Sequence, residues 1–285
     1  MSYNIKEMTQ FIKMTDNVIS SDKKEIDEKE TKLMIAAKEG DYKTVASLLD
    51  TEAGEVNSYS ETALMIAAKH GKHKCVELLA KTKEIGKIND YDETALMIAA
   101  ENGHDKCVKI LVDTEEIGKQ DKHGWTALIN AAANDMDHCV RILVDTKEVG
   151  MRTKFMDTAL IVAARNGSYK CVKILSHTTE LCKRELDGLT ALMSAARANR
   201  PLCVGILVNT EELGMQDNYE FTALSSALYN RSHRCIEILL KTREIAINTK
   251  ENTKLIELIK KEEDDDFVKL ITKMSKLYLK KYQTE

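Results

Sequence analysis

Residues 94–125 read TALMIAAENGHDKCVKILVDTEEIGKQDKHGW, and the phrase returns along the chain in phase. Thr62, Thr94, Thr126, Thr158, Thr190 and Thr222 follow one another at intervals of 32 residues, and Thr31 and Thr253 extend the series by steps of 31. A fixed period of this size predicts a solenoid, in which each unit buries its apolar face against its neighbours. Within the quoted unit Thr94 is a suitable N-cap, because its hydroxyl accepts an otherwise unpaired backbone N–H. "ALMIAAEN" predicts a short helix that buries Leu96, Met97, Ala99 and Ala100, and the small alanines let a second helix approach closely. Gly103 suits the left-handed conformation that ends a helix. "HDKCVKILVD" predicts the second helix, with Cys107, Val108, Ile110 and Leu111 on its apolar side. The polar "KQDKHG" then turns the chain toward the next threonine.

This unit resembles the ankyrin repeat: helix, turn, helix, then a projecting hairpin loop. The resemblance runs from about Thr31 to Thr253 and implies an all-α ankyrin-repeat solenoid with helical caps at both ends. The expected organisation is an N-terminal capping helix and loop over 1–30, seven repeats over 31–252, and a degenerate capping repeat over 253–285. The repeats begin near 31, 62, 94, 126, 158, 190 and 222. Asn4 with Glu7 makes a capping box for the first cap, and Ile5, Met8, Phe11 and Ile12 form its apolar stripe. Departures from the family pattern recur in phase. Its Thr-Pro-Leu-His becomes Thr-Ala-Leu-Met, as at Thr62 to Met65, so the usual proline and the hydrogen-bonding histidine are missing. The period is one residue short of the usual 33. Where the family ends its second helix with glycine, a Thr-x-Glu phrase stands, at Thr82, Thr114, Thr146, Thr178 and Thr210; that threonine is expected to cap a brief extra turn. The wording is similar to that of the expanded ankyrin families of parasitic protists.

The bulk composition excludes several classes. Hydrophobic content of 43%, charged content of 31% and a single proline suit a soluble folded chain of 285 residues. A net charge of −4 gives no electrostatic reason to expect nucleic acid or anionic membrane as the main partner. No apolar run resembles a membrane-spanning helix, and the polar start "MSYNIKEMTQ" does not resemble a signal peptide. Seven cysteines without such a signal imply reduced thiols in cytoplasm or nucleus.

Six of those cysteines, Cys75, Cys107, Cys139, Cys171, Cys203 and Cys235, lie thirteen residues after their threonines, with His73, His104, His138 and His233 close by. A zinc reading fails on geometry, since stacked helices stand about 8–10 Å apart while zinc needs each sulfur at about 2.3 Å. The column is expected to be core, with cysteine as a small hydrophobe and Cys182, outside it, as the accessible thiol. No metal or cofactor is implied. No phosphate-cradling glycine loop, Gly-x-Ser-x-Gly elbow or His-Glu-x-x-His is present, and His104-Asp105 falls at an ordinary helix start, so the chain is read as non-catalytic.

Function is then expected in the columns that vary. Three residues before each threonine lie Tyr59, Tyr91, His123, Phe155, Asp187 and Tyr219; one residue before lie Glu61, Glu93, Trp125, Asp157, Leu189 and Phe221. These are hairpin-tip positions, expected to be wet, yet the twelve hold six of the chain's fourteen aromatics. Either the rings stack on one another and stiffen the tips, or they form a binding ridge of the kind protein interfaces enrich, with Trp125 at its centre. The resemblance implies partner binding through the tips and the concave face of the first helices. On that face Arg165 and Arg197, in adjacent repeats, are expected to grip an acidic group, with Tyr229 further along. The expected function is a protein-interaction scaffold, acting as a monomer on an unidentified protein. The alternative is an adaptor for membrane or acidic surfaces through Lys269, Lys273, Lys276, Lys280 and Lys281, a reading weakened by the acids Glu262 to Asp266.

Overall fold

The computed structural model describes residues 29–242. Both expected caps, with Asn4 and Glu7 at one end and the lysines from Lys269 to Lys281 at the other, lie outside these residues, as does Thr253. Between them stand seven helix pairs: α1 (Lys32–Glu39) with α2 (Tyr42–Glu52), α3 (Ala63–Lys69) with α4 (His73–Leu79), and α5 (Ala95–Glu101) with α6 (Asp105–Leu111). There follow α7 (Ala127–Ala133) with α8 (Asp137–Leu143), α9 (Ala159–Asn166) with α10 (Tyr169–Leu175), α11 (Ala191–Arg197) with α12 (Pro201–Leu207), and α13 (Ala223–Tyr229) with α14 (His233–Leu239). The described residues contain no strand, so the all-α solenoid is the fold. First helices pack on first helices and second on second, the first row more intimately, so the stack curves with the first helices inside.

Each period threonine caps its helix. Thr62, Thr94 and Thr126 accept the backbone N–H three residues on, from Met65, Met97 and Ile129, at 3.3 Å. The alanine pairs are fully buried, from Ala67 and Ala68 to Ala195 and Ala196, and so is every cysteine of the column. Where the helix-ending glycine is replaced, Asp135 and Asn199 take the left-handed conformation at φ 58° and 54°, which short polar side chains tolerate best. Each then accepts the thiol of the following repeat, Cys171 to Asp135 and Cys235 to Asn199, both at 3.7 Å. Burial pushes the column thiols up, to about 12 at Cys107, Cys139 and Cys203. The nearby imidazoles lie at the outer helix starts instead, and His104 reaches the Lys69 carbonyl of the preceding repeat at 3.0 Å.

The Thr-x-Glu phrase holds the repeats together in a way the sequence reading did not anticipate. Thr146 Oγ1 donates to the Leu143 carbonyl at 2.7 Å and accepts the Glu148 N–H at 3.3 Å, so the threonine does cap the extra turn. That turn carries Glu148 inward until it is only 1% exposed. Its Oε2 accepts the Leu128 N–H at the start of α7 (2.7 Å), and its Oε1 accepts the Gly118 N–H in the preceding repeat's loop (2.9 Å). Glu84, Glu116, Glu180 and Glu212 do the same in their own repeats. The helix N-terminus, with its unpaired donors and positive dipole end, suits a carboxylate. Burial is the largest influence on all five and pushes their carboxyls above the ordinary range, with the backbone hydrogen bonds opposing it.

Candidate partner-binding surface

The hairpin tips are built by local side-chain turns. Asn57, Asn89, Asp121, Thr153, Glu185 and Asp217 each use one side-chain oxygen to accept two backbone N–H groups, two and four residues ahead. Between those acceptances the chain passes through a left-handed residue, which is Gly124 or Gly188 in two repeats but Ser60, Asp92, Met156 and Glu220 in the others. Successive tips are tied by backbone bonds: Asp90 to Tyr59, Lys122 to Tyr91, Lys154 to His123, Leu186 to Phe155 and Asn218 to Asp187, all at 3.4 Å or less. The result is a continuous hydrogen-bonded ridge.

This geometry separates the two columns that the sequence reading had placed together on the wet tips. The column three before the threonine points out. Tyr59, Tyr91, Phe155 and Tyr219 are each more than half exposed, His123 is exposed, and Asp187 is half-buried. Tyr59, Tyr91 and Phe155 do not stack on one another; Tyr91 instead carries the Lys122 ammonium 4.2 Å from its ring centroid. The column one before the threonine turns back onto the concave face, where in four repeats it meets the residue eight positions later. Leu189 is therefore only 6% exposed and belongs to the core rather than to a partner surface. Trp125 is half-buried and packed against the core, so it is not the bare hot spot expected of a tip residue. Phe221 is half-buried beside Tyr229, their centroids 6.1 Å apart. Arg165 is also corrected: both its terminal nitrogens bond Asp157, itself 4% exposed, so this guanidinium is already held inside its own repeat. Arg197 is exposed and has no hydrogen-bond or ion-pair partner among the described residues, and Tyr229 is exposed. The inward turn went unread because four of the six left-handed residues are not glycine and so do not announce themselves.

Among the described residues no group of three or more His, Cys, Asp or Glu side chains is placed to hold a metal ion, and no helix is long and apolar enough to cross a membrane. Concave asparagines are occupied as well: Asn102 and Asn134 donate to carbonyls of their own helices, and Asn166 to the Ala133 carbonyl of the preceding repeat.

Comparison with known proteins agrees with this architecture. A search of curated proteins returns no match. Among solved structures, the human ASB11 ankyrin repeat domain superposes with a TM-score of 0.61 at 18% identity, covering 74% of this chain and 98% of that one. The ankyrin repeat domain of Bcl-3, described as a unique member of the IkappaB protein family, gives 0.64 at 25% identity with the same coverage. Ankyrin repeats are protein–protein interaction domains. The model of that family, ankyrin repeats in three copies, matches residues 33–121, 114–185 and 175–251, and the chain belongs to the ankyrin-repeat family.

Proposed function

We propose that this protein is a non-catalytic scaffold whose partner protein lies along the hairpin ridge and the adjoining concave strip. One observation carries the reading: a row of tip aromatics stands more than half exposed on hairpins already locked by their own hydrogen bonds. Rings that served only to stiffen the tips would stack on those of neighbouring hairpins, and Tyr59 and Tyr91, on adjacent hairpins, do not; Phe155 stands between His123 and Asp187. Rigid exposed aromatics lose little conformational freedom on binding, which is why interfaces concentrate energy in them. The contact residues proposed are Tyr59, Tyr91, His123, Phe155, Asp187 and Tyr219 on the ridge, with Trp125, Phe221, Arg197 and Tyr229 bordering the strip. Seven free thiols support a reducing compartment, cytoplasm or nucleus, for this role.

The test compares wild type with Tyr91→Ser/Phe155→Ser in quantitative affinity capture, alongside thermal melts of both. A specific partner should be depleted about tenfold or more while the melting temperature holds. Equal recovery by the two proteins would remove the ridge from the interface.

A further inference from the structure

One register of the solenoid joins the residue before each threonine to the residue eight positions later, at the open end of the inner helix. Glu30 holds Lys38 at 3.3 Å and Glu61 holds Lys69 at 3.2 Å. Asp157 holds Arg165, and Phe221 packs on Tyr229. In these four repeats the pair completes itself. Two repeats break the rule in opposite senses. In one, carboxylates occupy both paired positions, Glu93 and Glu101, and Glu93 also accepts the Asn89 side-chain N–H at 2.8 Å. Glu101 is exposed and makes no hydrogen bond or ion pair within the described residues, while Lys69 one repeat away is already engaged by Glu61. In the other, the buried Leu189 gives Arg197 no acid to bind, and its guanidinium stands exposed.

We propose that these two mismatched repeats are opposite charge sockets on one peptide-binding strip, with Glu93 and Glu101 taking a basic side chain and Arg197 an acidic one from an extended segment of the partner. This rests on the interaction role argued above and adds the chemistry of the partner. Three repeat steps separate Glu101 from Arg197. At about 8–10 Å per stacked helix the sockets stand about 24–30 Å apart. An extended chain advances about 3.3 Å per residue, so the two charges on the partner are separated by about seven to nine residues. Between the sockets lie an apolar shelf, the half-buried Trp125 with only Ala133 in the paired position, and the self-neutralised Asp157–Arg165 pair. The intervening partner residues are therefore uncharged, with an apolar side chain nearest the acidic socket. Like charges brought face to face are strongly rejected, so a polyanion such as nucleic acid is turned away at Glu93 and Glu101.

The test pans a phage-displayed library of random 16-residue peptides against the full chain and against Glu93→Gln/Glu101→Arg/Arg197→Glu, in which no carboxylate is left at the paired position to neutralise the new guanidinium. Glu101 and Arg197 are exposed, Glu93→Gln keeps an oxygen to accept the Asn89 side-chain N–H, and melting curves establish that the variant is folded. Wild type should enrich peptides with a basic and an acidic residue about seven to nine positions apart, in one polarity. The variant should enrich the reversed polarity, and each selected peptide should bind the other protein about tenfold or more weakly by fluorescence anisotropy. Peptides without this spacing, affinities indifferent to the charge reversal, tighter binding of a DNA oligonucleotide, or no enrichment at all would each overturn the proposal. Enriched peptides that depend on Tyr91 and Phe155 but ignore both charges would overturn the sockets alone and leave the scaffold role standing.

Discussion

Replacing Glu148 by glutamine keeps the side chain's size and removes a buried charge, yet it should destabilise the protein. Both carboxylate oxygens face backbone donors, Gly118 N–H at 2.9 Å and Leu128 N–H at 2.7 Å. An amide has one acceptor oxygen; its NH₂ has no lone pair to offer the second N–H. The variant loses one charge-assisted bond, worth about 1.5–3 kcal/mol, and strands a buried donor. Relief of desolvation opposes this, since burial is what pushes the Glu148 carboxyl up. The geometric loss should win, leaving the variant about 2 kcal/mol less stable in urea denaturation followed by circular dichroism. Amide exchange should accelerate at Gly118 or Leu128, whichever is left facing the NH₂. A variant as stable as wild type with both amides still protected would refute the idea that this carboxylate ties adjacent repeats together.

Protonation is a different change from amidation, because a neutral carboxyl still presents two acceptor oxygens. The folded carboxyl is raised above its reference value of 4.5. The folded state therefore takes up the proton before the unfolded chain does. The resulting stability is fully present below about pH 4.5 and is lost as pH rises through the folded value. Wild type should accordingly gain at Glu148 on acidification from neutrality toward pH 4.5, and the glutamine variant should not. The stability gap between them should be wider at the acidic end of that window than at pH 7. A gap that narrows on acidification would mean that the hydrogen bonds, rather than burial, set the titration.

Three further outcomes follow from packing and backbone geometry. Ala131, fully buried in α7, has no room for added methylenes, so Ala131→Leu should cost about 1–3 kcal/mol; a loss no larger than that of an exposed lysine substitution would contradict the placing of the alanine pair. Cys182 is half-buried while the six column cysteines are fully buried, so mild native alkylation read by mass spectrometry should label Cys182 first, and early labelling of Cys107 or Cys139 would count against the core column. Gly124 has φ +83°, and a Cβ there would lie 2.9 Å from the Lys154 backbone nitrogen. Gly124→Ala should therefore destabilise by about 1–2 kcal/mol or more, and an unchanged melting temperature would deny the left-handed tip.

The threonine period was enough to read the fold because its consequences are local. An N-cap, a six-residue apolar run such as Ala95 to Ala100 and a helix-ending residue follow one another within about ten residues, so each is visible in the string. Burial of the cysteines followed from the same periodicity. The glutamates repeat just as strictly, at 84, 116, 148, 180 and 212, and that regularity was the available signal. It went unused because a charged side chain is assigned to solvent by default, and its two donors lie 20 and 30 residues away in the chain. Only the folded stack brings them together.

The partner surface was harder to read for a related reason. Whether a tip residue faces water or the concave helix depends on a left-handed residue between the two columns. At Ser60, Asp92, Met156 and Glu220 that conformation is imposed by the side-chain turn rather than chosen by glycine. Once the turn is known, the sequence itself separates scaffold from surface. Asp157 with Arg165, Glu61 with Lys69 and Phe221 with Tyr229 vary in chemistry yet remain matched within each repeat. Matched variation of this kind conserves a contact. Glu93 with Glu101 and Leu189 with Arg197 vary without matching, and these mismatches, exposed at Glu101 and Arg197, are where the proposed sockets leave room for a complement from outside the chain. The unpaired Arg197 thus stays open to the acidic group first expected of two arginines, while Arg165 shows what it would look like had the repeat supplied its own acid.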